Sequence, residues 1–211
     1  MNGRYRCGAR SWCARGAAAR MPENAIRTVW FVWWISWMAA AAWSDRAVKR
    51  PPRRHQIVYR LFAAAGAVLL FGLYRHDVRA EVILWLTPRW LAASMVVMAA
   101  AGLLFTWWAR IHLGRLWSAS VGRKADHRVI DTGPYALVRH PTYTGIIIAS
   151  IATAALRGTL LSWLGAAVMT VGWVIKARME EKFLREQLGA EAYDAYARKV
   201  PMLSPFGSRR S

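Results

Sequence analysis

Apolar runs at residues 28–44, 57–74, 90–109, 141–156 and 158–175 alternate with short stretches crowded with arginine and lysine. A helix needs about 20 apolar residues to cross a bilayer, with a range of about 17 to 25. Each run therefore predicts a membrane-spanning helix. Arg60 lies near one end of its run, where a long side chain reaches the interface. Only Arg157 interrupts the last two runs. The Arg157-Gly158 pair reads as a tight turn that folds them into a helical hairpin. The apolar stretch 82–86 is too short to span and precedes Thr87-Pro88. It reads as interfacial, or as the start of a tilted third span.

Beyond residue 177 the chain becomes charged and helix-forming. Lys176 and Glu180, and Glu181 and Arg185, have the spacing of i,i+4 pairs. Gly189 predicts a break, and a second helix is expected over 190–199 before Pro201 and Pro205. This tail reads as a lid over one mouth of the helix assembly. The expected fold is thus an all-α polytopic membrane protein of about five spans, with a C-terminal helical hairpin and a helical tail.

Composition agrees with that pattern. The 211 residues are 56% hydrophobic, include 13 tryptophans and carry a formal net charge of +19. Too little polar sequence remains to cover a soluble core made of such helices. The basic residues lie between apolar runs rather than along one soluble face, which argues against nucleic-acid binding. In a five-span layout the segments around Arg46–Arg54, around Arg110–Arg139 and beyond Lys176 share one side, so the basic excess puts that side in the cytoplasm. Residues 1–20, rich in Arg, Gly and Ala, lack apolar periodicity. They are expected to be disordered, with Met21 an alternative start and 21–211 a single membrane-embedded domain. Cys7 and Cys13 fall in that tail and imply neither a metal site nor a disulfide framework.

The polar chemistry gathers at two places. The first is Thr132-Gly133-Pro134-Tyr135-Ala136-Leu137-Val138-Arg139-His140-Pro141-Thr142-Tyr143-Thr144-Gly145, at the start of the fourth run. Pro141 suits a first helical turn, where free N–H groups and the helix dipole favour a carboxylate or phosphate. Arg139 offers a bidentate clamp, Tyr143 shares a face with His140, and Gly145 admits a close neighbour, either a helix or a ligand. The second place is Arg178-Met179-Glu180-Glu181. Its two carboxylates point about 100° apart on a helix, so one can face a ligand while the other pairs with Arg178 or Arg185. The plainer reading makes Arg139, His140 and Tyr143 interfacial anchors, and one glutamate part of a solvated face.

These segments, with Arg110-Ile111-His112-Leu113-Gly114-Arg115-Leu116-Trp117-Ser118, Asp126-His127-Arg128-Val129-Ile130, Lys182-Phe183-Leu184, Tyr193, Tyr196 and Val200-Pro201, closely resemble the isoprenylcysteine carboxyl methyltransferase family and the related phospholipid methyltransferases. The likeness runs over about residues 85–206. It implies a membrane methyltransferase using S-adenosyl-L-methionine, with residues 110–206 carrying a cofactor site that faces the cytoplasm of a bacterial inner membrane. Carried over, Tyr135, Arg139, His140, Tyr143, Gly145, Glu180 and Glu181 become cofactor-pocket residues. His140 and a helix N-terminus take the methionine carboxylate, and a glutamate takes an amine or hydroxyl. Arg178 and Glu181 become the catalytic candidates, Arg178 by orienting an acceptor carboxylate. His112, Trp117 and His127 are weaker candidates, and no metal is expected.

The implied acceptor is lipophilic: the carboxylate of an isoprenylcysteine, a membrane lipid or an isoprenoid. Transfer to a carboxylate oxygen is the leading expectation, and N- and S-methylation stay open. Two other readings stand beside it, an NADPH-dependent membrane reductase of the sterol-reductase type and a non-enzymatic membrane subunit.

Overall fold

The computed structural model describes residues 7–41, 53–73, 82–114 and 130–205. The elements are α1 (Cys7–Ala41), α2 (Arg53–Phe71), α3 (Arg89–Leu113), the single turn α4 (Pro134–Leu137), α5 (Pro141–Arg157), α6 (Leu160–Leu188) and α7 (Ala190–Lys199). No named strand occurs among the described residues, and one isolated antiparallel bridge joins Ile83 to Thr159. The boundary expected at residue 20 falls inside α1, which contains Pro22. Among the described residues two helices are long and apolar enough to cross a membrane, Arg89–Leu113 and Leu160–Glu186. The apolar part of α2, Gln56–Phe71, is shorter, and α5 has 17 residues.

Helix α5 lies between two apolar clusters. On one side Ala149, Ala152 and Leu156 pack with Ile26 of α1 and with Ala92, Ala99 and Leu103 of α3. On the other, Ile146 and Ala154 pack with Leu70 of α2 and with Ala166 and Met169 of α6. Small residues dominate these seams. A Cβ on Gly145 would strike the Gly102 carbonyl and Thr106 across the α3–α5 contact. A Cβ on Gly66 would reach the backbone of Met169 and Gly165, so α2 and α6 also meet backbone to backbone. Large apolar side chains point the other way. Phe31, Trp34, Leu61, Val97, Leu104 and Val171 are all exposed. Small residues inside and large apolar residues outside is the arrangement of helices packed in lipid, where close van der Waals contact drives association.

Polar side chains tie the seams. Trp30 Nε1 donates to Thr153 Oγ1 at 2.9 Å, and Trp33 Nε1 to Thr106 Oγ1 at 2.7 Å. Both bonds satisfy indole donors that an apolar surround would leave costly.

The hairpin turn forms at the expected place. Gly158 caps α5 in the left-handed region at φ 63°, which glycine adopts without a Cβ penalty. Residues 82–88 do not begin a tilted span. They run extended alongside this turn: Leu84 N–H donates to the Gly158 carbonyl and Leu160 N–H to the Val82 carbonyl, and Trp85 Nε1 reaches the Ala155 carbonyl. Pro88 then caps α3, and proline disfavours helix in the residue before it. At the other end α6 runs unbroken from Leu160 to Leu188, and the chain reverses at Gly189, φ 90°, into α7.

Candidate functional site

The site forms where α5 begins and α6 passes. Val138–His140 are non-helical, and Pro141 starts α5 with His140 as its cap residue. Glu180 and Glu181 lie on α6, and residues 200–203 follow α7. Arg139 donates through Nε to Glu181 Oε1 at 2.8 Å, and its Nη2 lies at the same distance from that oxygen. Its Nη1 donates to the carbonyls of Ala197 and Val200. The Arg139 and His140 backbone N–H groups donate to the carbonyls of Pro201 and Met202, and Thr144 Oγ1 to that of Leu203. The residues after α7 thus form a strap bound to the α5 entrance, with Arg139 as its main tie.

His140, 6% exposed, stands between the glutamates. Its Nε2 is 3.3 Å from Glu181 Oε1 and its Nδ1 3.6 Å from Glu180 Oε2. Burial pulls the imidazole down, but hydrogen bonding and charge from both carboxylates outweigh it and hold the group above its ordinary 6.5. A group raised in the folded state stabilises fully below its unfolded value and loses that contribution as pH climbs through the folded one. Melting temperature in detergent should therefore fall as pH rises above 6.5, and His140→Gln should flatten that dependence. An unchanged slope in the variant would show that His140 does not titrate between these partners.

Tyr143 donates to Glu180 Oε1 at 2.6 Å. Its ring stacks between His140, at 5.4 Å, and Trp173, at 5.2 Å, each with an interplanar angle of 15°. Lys176 Nζ lies over the rings of Tyr59, Tyr143 and Trp173 at 5.1 to 5.6 Å, and 3.9 Å from Glu180 Oε1. Tyr135 sits at the edge of the cluster. Its carbonyl accepts from the Tyr196 hydroxyl at 2.7 Å, and burial, aided by the Glu180 charge, raises its phenol and keeps it neutral.

Of the residues singled out from sequence, Arg139, His140, Tyr143, Glu180 and Glu181 converge, with Tyr135 beside them. Gly145 does not join them, because it is spent on the close approach to Gly102. Arg178 also stays out. It is exposed on α6, and Glu181 pairs with Arg139 rather than with Arg178 or Arg185. Arg185 instead bridges to Asp194 of α7 at 2.7 Å.

The roles expected for the α5 entrance also change. Pro141 has no N–H, and those of Tyr143 and Thr144 both go to the His140 carbonyl. His140 faces two carboxylates, so a third is poorly placed there. His112 bonds to Thr132 Oγ1 at 2.9 Å and packs on Gly133, a structural position. Trp117, His127 and most of the loop charges used for orientation lie outside the described residues. Among the described residues no group of three or more His, Cys, Asp or Glu is arranged to hold a metal ion. Sequence reasoning missed Tyr59 and Trp173, and read Lys176 as a partner of Glu180 and as one of the basic charges marking the cytoplasmic side.

A profile of the isoprenylcysteine carboxyl methyltransferase (ICMT) family matches residues 92–186, which include the α5 entrance and both glutamates. Protein-S-isoprenylcysteine O-methyltransferase B of Arabidopsis thaliana is 29% identical over 122 residues, 56% of this chain and 60% of that protein. Cobalt-zinc-cadmium resistance protein CzcN of Cupriavidus metallidurans is 31% identical over 169 residues, covering 76% of this chain and 68% of CzcN. Methanethiol S-methyltransferase 1 of Bradyrhizobium diazoefficiens is 32% identical over 179 residues, covering 80% and 59%. The chain thus spans about three fifths of the length of each of these two methyltransferases. With the family profile matched over residues 92–186 and CzcN matched over 68% of its length, the chain belongs to the isoprenylcysteine carboxyl methyltransferase family.

Proposed function

We propose that this protein is a multi-pass membrane methyltransferase that uses S-adenosyl-L-methionine and methylates a lipophilic or small acceptor at its cytoplasmic mouth. The observation that carries this reading is the Glu181 carboxylate. Its contacts with Arg139 and His140 all fall on Oε1, which leaves Oε2 to accept from a ligand. Glu180 has both oxygens faced, one by Tyr143 and one by His140. Glu181 is therefore the carboxylate for a cofactor amine or hydroxyl, and Glu180 holds the stack of His140, Tyr143 and Trp173. The buried Trp173 Nε1, without a hydrogen bond among the described residues, is a further donor for a polar ligand.

When bound, S-adenosyl-L-methionine supplies a methyl group already activated on a sulfonium. The protein then needs to align and to exclude water more than to supply a strong acid or base. The strap at 200–203 closes the water side. The exposed apolar faces of α1, α2, α3 and α6 support a reading in which the other side of the site opens to lipid, where an acceptor such as an isoprenylcysteine, a membrane lipid or an isoprenoid would arrive. Relatives named for isoprenylcysteine and for methanethiol support an acceptor of either kind, at oxygen or at sulfur.

Calorimetric titration of the detergent-purified protein with S-adenosylhomocysteine, with NADPH run alongside, tests the class. The expected result is micromolar or tighter binding of the former, about −8 kcal/mol, and none of NADPH. NADPH binding alone would replace the methyltransferase reading by a reductase.

A further inference from the structure

The Lys176 side chain is 11% exposed. Its surroundings are three ring faces and one carboxylate oxygen at 3.9 Å, and none of its three N–H donors makes a hydrogen bond among the described residues. Ring faces attract a cation through their quadrupole but leave its N–H groups unsatisfied. Glu180, the ion-pair partner of Lys176 at 3.9 Å, is shared with Tyr143 and His140, so the ammonium keeps donors for a further anion. Placement says which ligand would answer. Lys176 lies one turn before Glu180 on α6, toward the apolar part of that helix, with the Tyr59 ring of α2 against it. The residues after α7 meet Arg139 and His140 at the α5 entrance instead.

We infer that Lys176 is a positioning residue for the acceptor, and that it selects an anionic nucleophile, carboxylate or thiolate, over an amine. This rests on the methyltransferase reading above. An acceptor O⁻ or S⁻ forms its bond to the methyl carbon while the carbon–sulfur bond breaks and its electron pair returns to sulfur. Anion and sulfonium become an ester or thioether and a neutral sulfide, and no proton moves. The ammonium holds the acceptor while it is charged and loses that hold once it is methylated, which favours product release. A protonated amine would be repelled and would also need a base.

The test uses full-length protein in detergent, with and without S-adenosylhomocysteine. It compares binding of S-decyl-N-acetylcysteine with binding of its uncharged carboxamide. Wild type and Lys176→Arg should prefer the carboxylate by about tenfold or more, the worth of one charge-assisted hydrogen bond. Lys176→Met, or Lys176→Gln if the first does not fold, should bind both alike while keeping wild-type affinity for S-adenosylhomocysteine. Equal binding of the two probes by wild type would overturn the inference. So would an unchanged preference in Lys176→Met, or a loss of S-adenosylhomocysteine binding in that variant, which would place the ammonium on the cofactor. A wild type that selects the carboxylate yet binds no S-adenosylhomocysteine would sink the methyltransferase reading and leave the anion site standing.

Discussion

Glu181→Ala should weaken S-adenosylhomocysteine binding by about tenfold to a hundredfold, the range for a hydrogen bond to a charged group, and leave the protein folded. Both halves follow from the geometry. Whereas Glu180 has one oxygen faced by Tyr143 and the other by His140, Glu181 keeps all its contacts on Oε1. Its removal strips the ligand's partner and one partner of Arg139. Arg139 still donates to the carbonyls of Ala197 and Val200, so the strap stays tied. Glu180→Gln should behave differently. The amide oxygen still accepts from Tyr143, so the stack persists and the affinity falls less. Wild-type affinity in Glu181→Ala would remove it from the cofactor site. Equal losses in both variants would mean that the pair acts only as a unit holding His140.

What the sequence discloses here depends on whether the signal is local. The turn at Gly158, the reversal at Gly189 and the helix Ala190–Lys199 all announce themselves through glycine, proline and charge within a few residues. The cluster of Arg139, His140, Tyr143, Glu180 and Glu181 was legible through a resemblance, because two motifs some forty residues apart are informative only as a pair. Other parts carry no such mark. The strap binds through the carbonyls of Ala197, Val200, Pro201, Met202 and Leu203, and every residue type has a carbonyl. The cage around Lys176 draws on α2, α5 and α6, and a single helix cannot show that Tyr59 will meet Lys176. Arg178 illustrates the converse. Its charge and its place beside the glutamates made it attractive, yet two residues along a helix is about 200° of rotation, which leaves it exposed while Lys176, one turn before Glu180, faces in.

Gly145→Ala is expected to damage the fold rather than the binding chemistry. A Cβ at that position meets the Gly102 carbonyl first and Thr106 Cγ2 second. The first obstacle is backbone, so no rotamer change relieves it and α3 must move away from α5. Overpacking of this kind costs about 3 kcal/mol, which lowers the melting temperature in detergent by roughly 10 °C for a chain of this size. Thr106→Ser deletes Cγ2 and keeps the hydroxyl that bonds Trp33, so adding it should rescue little. Ile151→Ala, at an exposed site on the same helix, should cost far less. Because α5 begins at the site, Gly145→Ala will also depress S-adenosylhomocysteine binding, and an activity screen alone would mistake Gly145 for a cofactor ligand. Affinity measured at low temperature on the folded fraction separates the two. If it recovers to near the wild-type value, Gly145 sets the spacing between helices. If it stays lost while the melting temperature is unchanged, Gly145 touches the ligand and the packing argument fails.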